Sequence, residues 1–192
     1  MLYFKAVRRW WTIPAAVVLL TIICWAAGST EVPVPSFLGG VASVRVKYFA
    51  PLLVVITTMY CLDRRLPAAE STAVTRIHWL DHIAVVATVF LTVLTGLVAG
   101  MDVPRNLMVL LALALLIRGV ANEAAAGGAC LLLLLGTAVL GRAYEASGQP
   151  GARWWALLLY PPASVVSWVL AAIFLAAGLL APGRMKQGLD VR

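Results

Sequence analysis

The chain has 192 residues, 62% of them hydrophobic and 12% charged, with a mean hydropathy of +0.95; soluble domains average about 45–50% apolar and 25% charged, so a water-soluble globule of this composition has too little polar surface. Its 15 Lys and Arg against 8 Asp and Glu stand in small groups between apolar runs, a pattern that orients a membrane protein and does not form a nucleic-acid footprint. At about 20 apolar residues per crossing the length accommodates six spans, leaving no room for a soluble catalytic or nucleotide-binding domain.

In chain order, the N-terminal stretch with Lys5, Arg8, Arg9, Trp10 and Trp11 leads into an apolar run without a convincing cleavage site and reads as an anchor that stays. The first span follows at 12–29. The stretch Glu31–Gly40, with Pro33, Pro35 and the Gly39-Gly40 pair, reads as an extended loop. The second span is placed at 46–62, where Lys47 is long enough to snorkel from its outer end. A polar connection over 63–79 reads as a turn, a short helix with Pro67 near its first position, and a new helix start capped near Thr75.

The third span, 80–100, contains Gly96-x-x-x-Gly100, a spacing that permits close helix approach in a packing or dimer seam. The fourth and fifth spans are placed at 103–122, with Arg118 snorkelling from its inner end, and at 124–144. The last apolar run, Trp154–Gly183, is interrupted by Pro161-Pro162; proline removes a backbone donor and clashes with the preceding turn. The stretch from Trp154 and Trp155 to Tyr160 covers only about 10 Å as a helix, too short to cross. It reads as a short interfacial or re-entrant helix ahead of a sixth span at 163–181. The break is either a functional surface or a plain hairpin corner, because non-helical backbone at membrane depth needs protein or water to satisfy it.

The predicted fold is therefore an all-α membrane protein forming a single transmembrane domain over 1–192. With the N-terminus inside, ten Lys and Arg fall on inner segments and five, Arg45, Lys47, Arg105, Arg142 and Arg153, on outer ones. This bias places both termini in the cytoplasm. Arginine-rich, alanine-rich composition points to a bacterial plasma membrane.

Motifs for chemistry are few. Cys24, Cys61 and Cys130 form no C-x-x-C pair and read as small buried hydrophobes. His78 and His82 share one helical face beside Asp81, a spacing that can hold a metal, but no third ligand is evident. No Asp, Glu or Lys stands in the middle of a span, so the chain offers no buried carboxylate for proton or sodium coupling. No metal or cofactor is assigned to the chain.

The segment Ala73-Val74-Thr75-Arg76, preceded by Asp63 and Glu70, resembles the stretch that opens the third span in the membrane subunits of ABC-2-type ABC transporters. Leu2–Trp11 is similar to their interface helix, and Trp154–Pro162 to their re-entrant helices. The usual Gly-Thr after the acidic residue is missing, and Pro67 stands in the helix region. The resemblance implies a permease that works as a dimer or with a related permease. ATP and Mg would be bound by a separate cytoplasmic ATPase. It further implies that Glu70, Ser71, Thr72, Ala73, Val74, Thr75 and Arg76 dock on that ATPase, and that an apolar or amphipathic compound is exported. The alternatives are a non-transporting accessory or immunity protein and a small haem or metal enzyme using His78 and His82.

Overall fold

The structure is a computed structural model that describes residues 10–35, 41–63, 77–144 and 150–187. It is mostly helical, with six α-helices among the described residues. Helix α1 (Thr12–Ala27) leads into an antiparallel hairpin of β1 (Glu31–Pro35) and β2 (Val41–Arg45), in which Glu31 lies opposite Arg45 and Pro35 opposite Val41. A 3-10 turn at Val46–Tyr48 precedes α2 (Pro51–Asp63). Then come α3 (Ile77–Ala99), α4 (Asp102–Val120) and α5 (Glu123–Leu140), a second hairpin of β3 (Arg142–Tyr144) and β4 (Pro150–Ala152), a 3-10 turn at Leu157–Leu159, and α6 (Val165–Gln187).

The helix ends follow local chemistry. The Asn122 side chain accepts from the Ala125 amide at 2.8 Å and starts α5, satisfying one of the free amides of the first turn. Pro104 stands in the first turn of α4, where a missing N–H costs no intrahelical bond. Gly100 ends α3 with φ +110°, a left-handed conformation that L side chains avoid. It leaves only Gly100 and Met101 between α3 and α4.

Two sequence expectations change. The fifth helix stops at Leu140, and Arg142–Tyr144 is a strand. Trp154–Tyr160 is not a short α-helix: within it only Leu157–Leu159 is helical, as a single 3-10 turn, because Pro161 and Pro162 withhold the donors a longer helix would need. The predicted interface helix at Leu2–Trp11 lies almost wholly outside the described residues.

The segment Val46–Asp63 and helices α3 (over Asp81–Ala99), α4 and α5 are long and apolar enough to cross a membrane. Two shorter apolar helical stretches are Thr12–Ala27 and Val165–Ala181. On α3, Ile83, Val86, Phe90, Leu94 and Leu97 are exposed at three- and four-residue intervals, while Thr88, Thr92 and Thr95 are buried. The buried threonines donate to carbonyls one turn back, Thr88 to Ala84 at 2.7 Å and Thr92 to Thr88 at 2.8 Å. This helix is polar toward the protein and apolar toward its surroundings, the arrangement that lipid selects.

The helices run alternately between two ends. At one end Thr12 of α1 meets Cys61 of α2, Oγ1 to Sγ 2.9 Å, and His82 of α3 lies 3.2 Å from the Leu179 carbonyl of α6. The other end carries both hairpins. Helix α4 is the hub: it packs against α2, α3, α5 and α6, and its Leu107, Leu110, Leu111 and Ala114 are buried with Val54, Val55, Val85 and Leu134 from its neighbours. It approaches α6 closely: a Cβ on Gly178 would lie 3.0 Å from the Ala112 carbonyl oxygen.

Candidate functional site

The most polar feature of the interior lies at the hairpin end of α4. Arg105 is fully buried, with Asn106 and Asp102 beside it at 1% and 4% exposure. A buried guanidinium is tolerated only when its donors are satisfied. Here Nη1 donates to the carbonyls of Tyr160 at 2.7 Å and Pro161 at 3.2 Å and to Ser167 Oγ at 3.3 Å. Nη2 donates to the Leu158 carbonyl at 3.1 Å and to Asn106 Oδ1 at 3.0 Å, and Nε donates to Asn106 Oδ1 at 3.2 Å.

The double proline explains why the Leu158 carbonyl needs a guest donor. In a continuing helix the Leu158 carbonyl would accept from residue 161 or 162, and both are prolines without an N–H. Arg105 supplies the missing donors from another helix, and its planar fork reaches several carbonyls at once. Pro161 O also accepts from the Ser164 amide at 3.1 Å, and Pro162 O from Trp168 Nε1 at 3.1 Å. The break ahead of α6 is thereby a fixed corner pinned to α4.

One turn earlier, Asp102 Oδ2 pairs with Lys47 Nζ at 2.7 Å. The carboxylate sits in the first turn of α4, where the helix dipole favours negative charge. Gly100 shelters this pair: a Cβ there would lie 2.7 Å from Asp102 Oδ1 and 3.5 Å from Lys47 Nζ. Arg142 Nη2 donates to the Ser43 carbonyl, tying β3 to β2. Lys47, Asp102, Arg105 and Arg142 thus bind the two hairpins, the 3-10 turn and the start of α6 into one cap on α4.

At the opposite end of α4, Arg118 Nη2 donates to the Leu62 carbonyl at 2.7 Å, and its Nε lies 3.6 Å from Asp63 Oδ1. The last turn of a helix leaves four carbonyls without intrahelical partners, and Arg118 occupies one of them. Residues 64–76, which follow this junction in sequence, lie outside the described residues, and α3 begins at Ile77.

Of the residues singled out in the sequence, Glu70, Ser71, Thr72, Ala73, Val74, Thr75 and Arg76 lie outside the described residues. Trp154 is 83% exposed and Trp155 37%, both on the rim of the cap, and Tyr160 Oη reaches the Trp154 carbonyl at 3.5 Å. Gly96 is an intrachain contact, since a Cβ on it would lie 2.8 Å from Pro104 Cγ, and Gly100 is the α3 terminator. The alanines at 172 and 176 are exposed, whereas Ser167, Ala171 and Gly178 are buried, among the residues of α6 whose burial is described. His82 is turned toward α6, and among the described residues no group of three His, Cys, Asp or Glu is placed to hold a metal.

Sequence reading missed the Arg105 cluster. Arg105 counts there only as one of the outer Lys and Arg that set the orientation. The available signal was their three-residue spacing beside Pro104, followed by Asn106, a dense polar group in a chain with few charges. No protein family, curated protein or solved structure matches this chain.

Proposed function

We propose that this chain is the six-span membrane subunit of an ATP-driven exporter, with the hairpin cap outside and both termini in the cytoplasm. It would act with a second permease copy or a related permease and with a separate ATPase that binds ATP and Mg. The observation that supports this reading most is the Arg118 clamp. Residues 64–76, which include the proposed docking residues Glu70–Arg76, follow in sequence directly on Leu62 and Asp63, which Arg118 ties to α4. A push on that loop from the cytoplasm reaches the helix packed against four others, and through Arg105 it reaches the opposite cap.

In this scheme Arg76 pairs with an acidic rim on the ATPase and the Ala73-Val74 step fills its groove. The cargo is an apolar or amphipathic compound that enters from the lipid-facing side between two copies. The rigid cap also suits a second reading, a non-transporting accessory or immunity protein whose outer hairpins are the contact surface.

Co-expression of the tagged chain with an ATPase encoded beside it separates the two. A transporter subunit retains the ATPase through purification, and Arg76→Glu or Glu70→Lys releases it while membrane insertion is unchanged. An intact, inserted chain that never retains an ATPase removes the transport reading.

A further inference from the structure

On the lateral surface, α2 and α5 part around a groove of about 380 Å³. Its floor is the Gly127-Gly128 step: a Cβ on Gly128 would meet nothing within 4 Å, and one on Gly127 only Ile56 at 3.6 Å. Ile56 and Leu131 line its sides, and Tyr60 and Glu123 stand at the end nearest Asp63. The neighbouring lateral residues Leu132 and Leu135 are exposed, so the groove opens into the hydrocarbon zone and not into a water-filled path.

We propose that this groove binds one acyl chain of a phosphatidylethanolamine-type lipid, with the lipid's ammonium group at the Glu123 carboxylate. Three observations select this occupant. From Glu123 to Leu131 the groove covers about 12 Å of helix, less than half of the roughly 30 Å hydrocarbon core. That is the depth of one leaflet's chain, whereas a partner helix would run the full thickness. The walls are apolar where a chain would lie, and the polar groups sit only at the end, where a headgroup would lie.

The third observation is charge. No described residue forms an ion pair with Glu123, so its carboxylate is open to a cation that donates hydrogen bonds. A primary ammonium does this, a quaternary choline cannot, and an anionic glycerol headgroup is repelled. The site stands independently of the transport reading.

Native mass spectrometry of the full chain in detergent, with dioleoyl phosphatidylethanolamine, phosphatidylcholine and phosphatidylglycerol at equal concentration, tests it. Retention of the ethanolamine lipid is expected to exceed that of the other two by about tenfold, the size of one charge-assisted hydrogen bond. Glu123→Gln abolishes the preference while leaving a chain bound. Gly128→Leu fills the groove and lowers retention of all three lipids, with gel-filtration behaviour unchanged. Equal retention of the three lipids by the unmodified chain overturns the headgroup assignment, and unchanged retention by Gly128→Leu overturns the groove. Disulfide-linked dimers of Gly128→Cys in membranes would assign the groove to a second copy and overturn the proposal.

Discussion

The two ends of α4 use the same device to different extents. Each places an arginine on the backbone carbonyls of a neighbouring segment and sets an acidic residue nearby. At the cap end Arg105 is fully buried and every guanidinium N–H has an acceptor, and the Lys47 and Asp102 side chains keep 18% and 6% of their surface. At the other end Arg118 keeps 14% and Asp63 41%, so water shares the work. A charge cut off from water depends wholly on its protein partners, whereas one near water can be rehydrated when a partner leaves. At the cap end the buried charges rest on protein partners, whereas at the other end Asp63 keeps contact with water.

Removing Arg105 is the severest way to break this contrast. Arg105→Met leaves the carbonyls of Leu158 and Tyr160 without their donor and is expected to cost about 3–5 kcal/mol, from roughly 1–3 kcal/mol for each stranded buried acceptor. Unfolding in mixed micelles followed by near-ultraviolet circular dichroism measures the loss. Arg105→Lys should recover less than half of it, since an ammonium lacks the planar fork; full recovery would mean that charge alone holds the corner.

The Lys47–Asp102 pair comes next. Lys47→Met strands a buried carboxylate at an expected cost of about 3 kcal/mol. Adding Asp102→Asn should return part of that, because the second change removes the stranded charge. Strict additivity in the same unfolding assay would show that the two groups do not act as a pair.

The smallest effect belongs to Arg118→Met. Where Asp63 keeps contact with water, losing the Leu62 carbonyl bond and the long Asp63 ion pair, among the contacts of Arg118, is expected to cost about 1 kcal/mol. The sharper readout is proteolysis of segment 64–76, which should quicken as Leu62 and Asp63 are released. A loss as large as that of Arg105→Met would erase the difference between the two ends.

Much of this architecture was legible residue by residue. Charge-free apolar runs foretold six helices and six are found among the described residues, and the paired prolines at 33 and 35 and at 161 and 162 marked places where helix could not form. The hairpins were less visible, because β1–β2 pairing depends on register, which composition does not report. Gly96 and Gly100 shared a motif spacing yet serve unrelated ends, one a contact with Pro104 and the other a positive-φ terminator. Spacing identifies a common face only while the helix continues, and it ends at Gly100.

By itself the sequence determined that this chain is mostly apolar helix suited to lipid and that the backbone breaks before the last helix. Those properties follow from side-chain transfer energies and from proline's missing N–H, both local. Only the tertiary structure decided which donor repairs the break, since Arg105 and the Leu158–Pro161 carbonyls are more than fifty residues apart in sequence. The same holds for the Lys47–Asp102 pair. A charge at a helix end reads alike whether it meets water or a carbonyl, and only packing determines which of the two surrounds it.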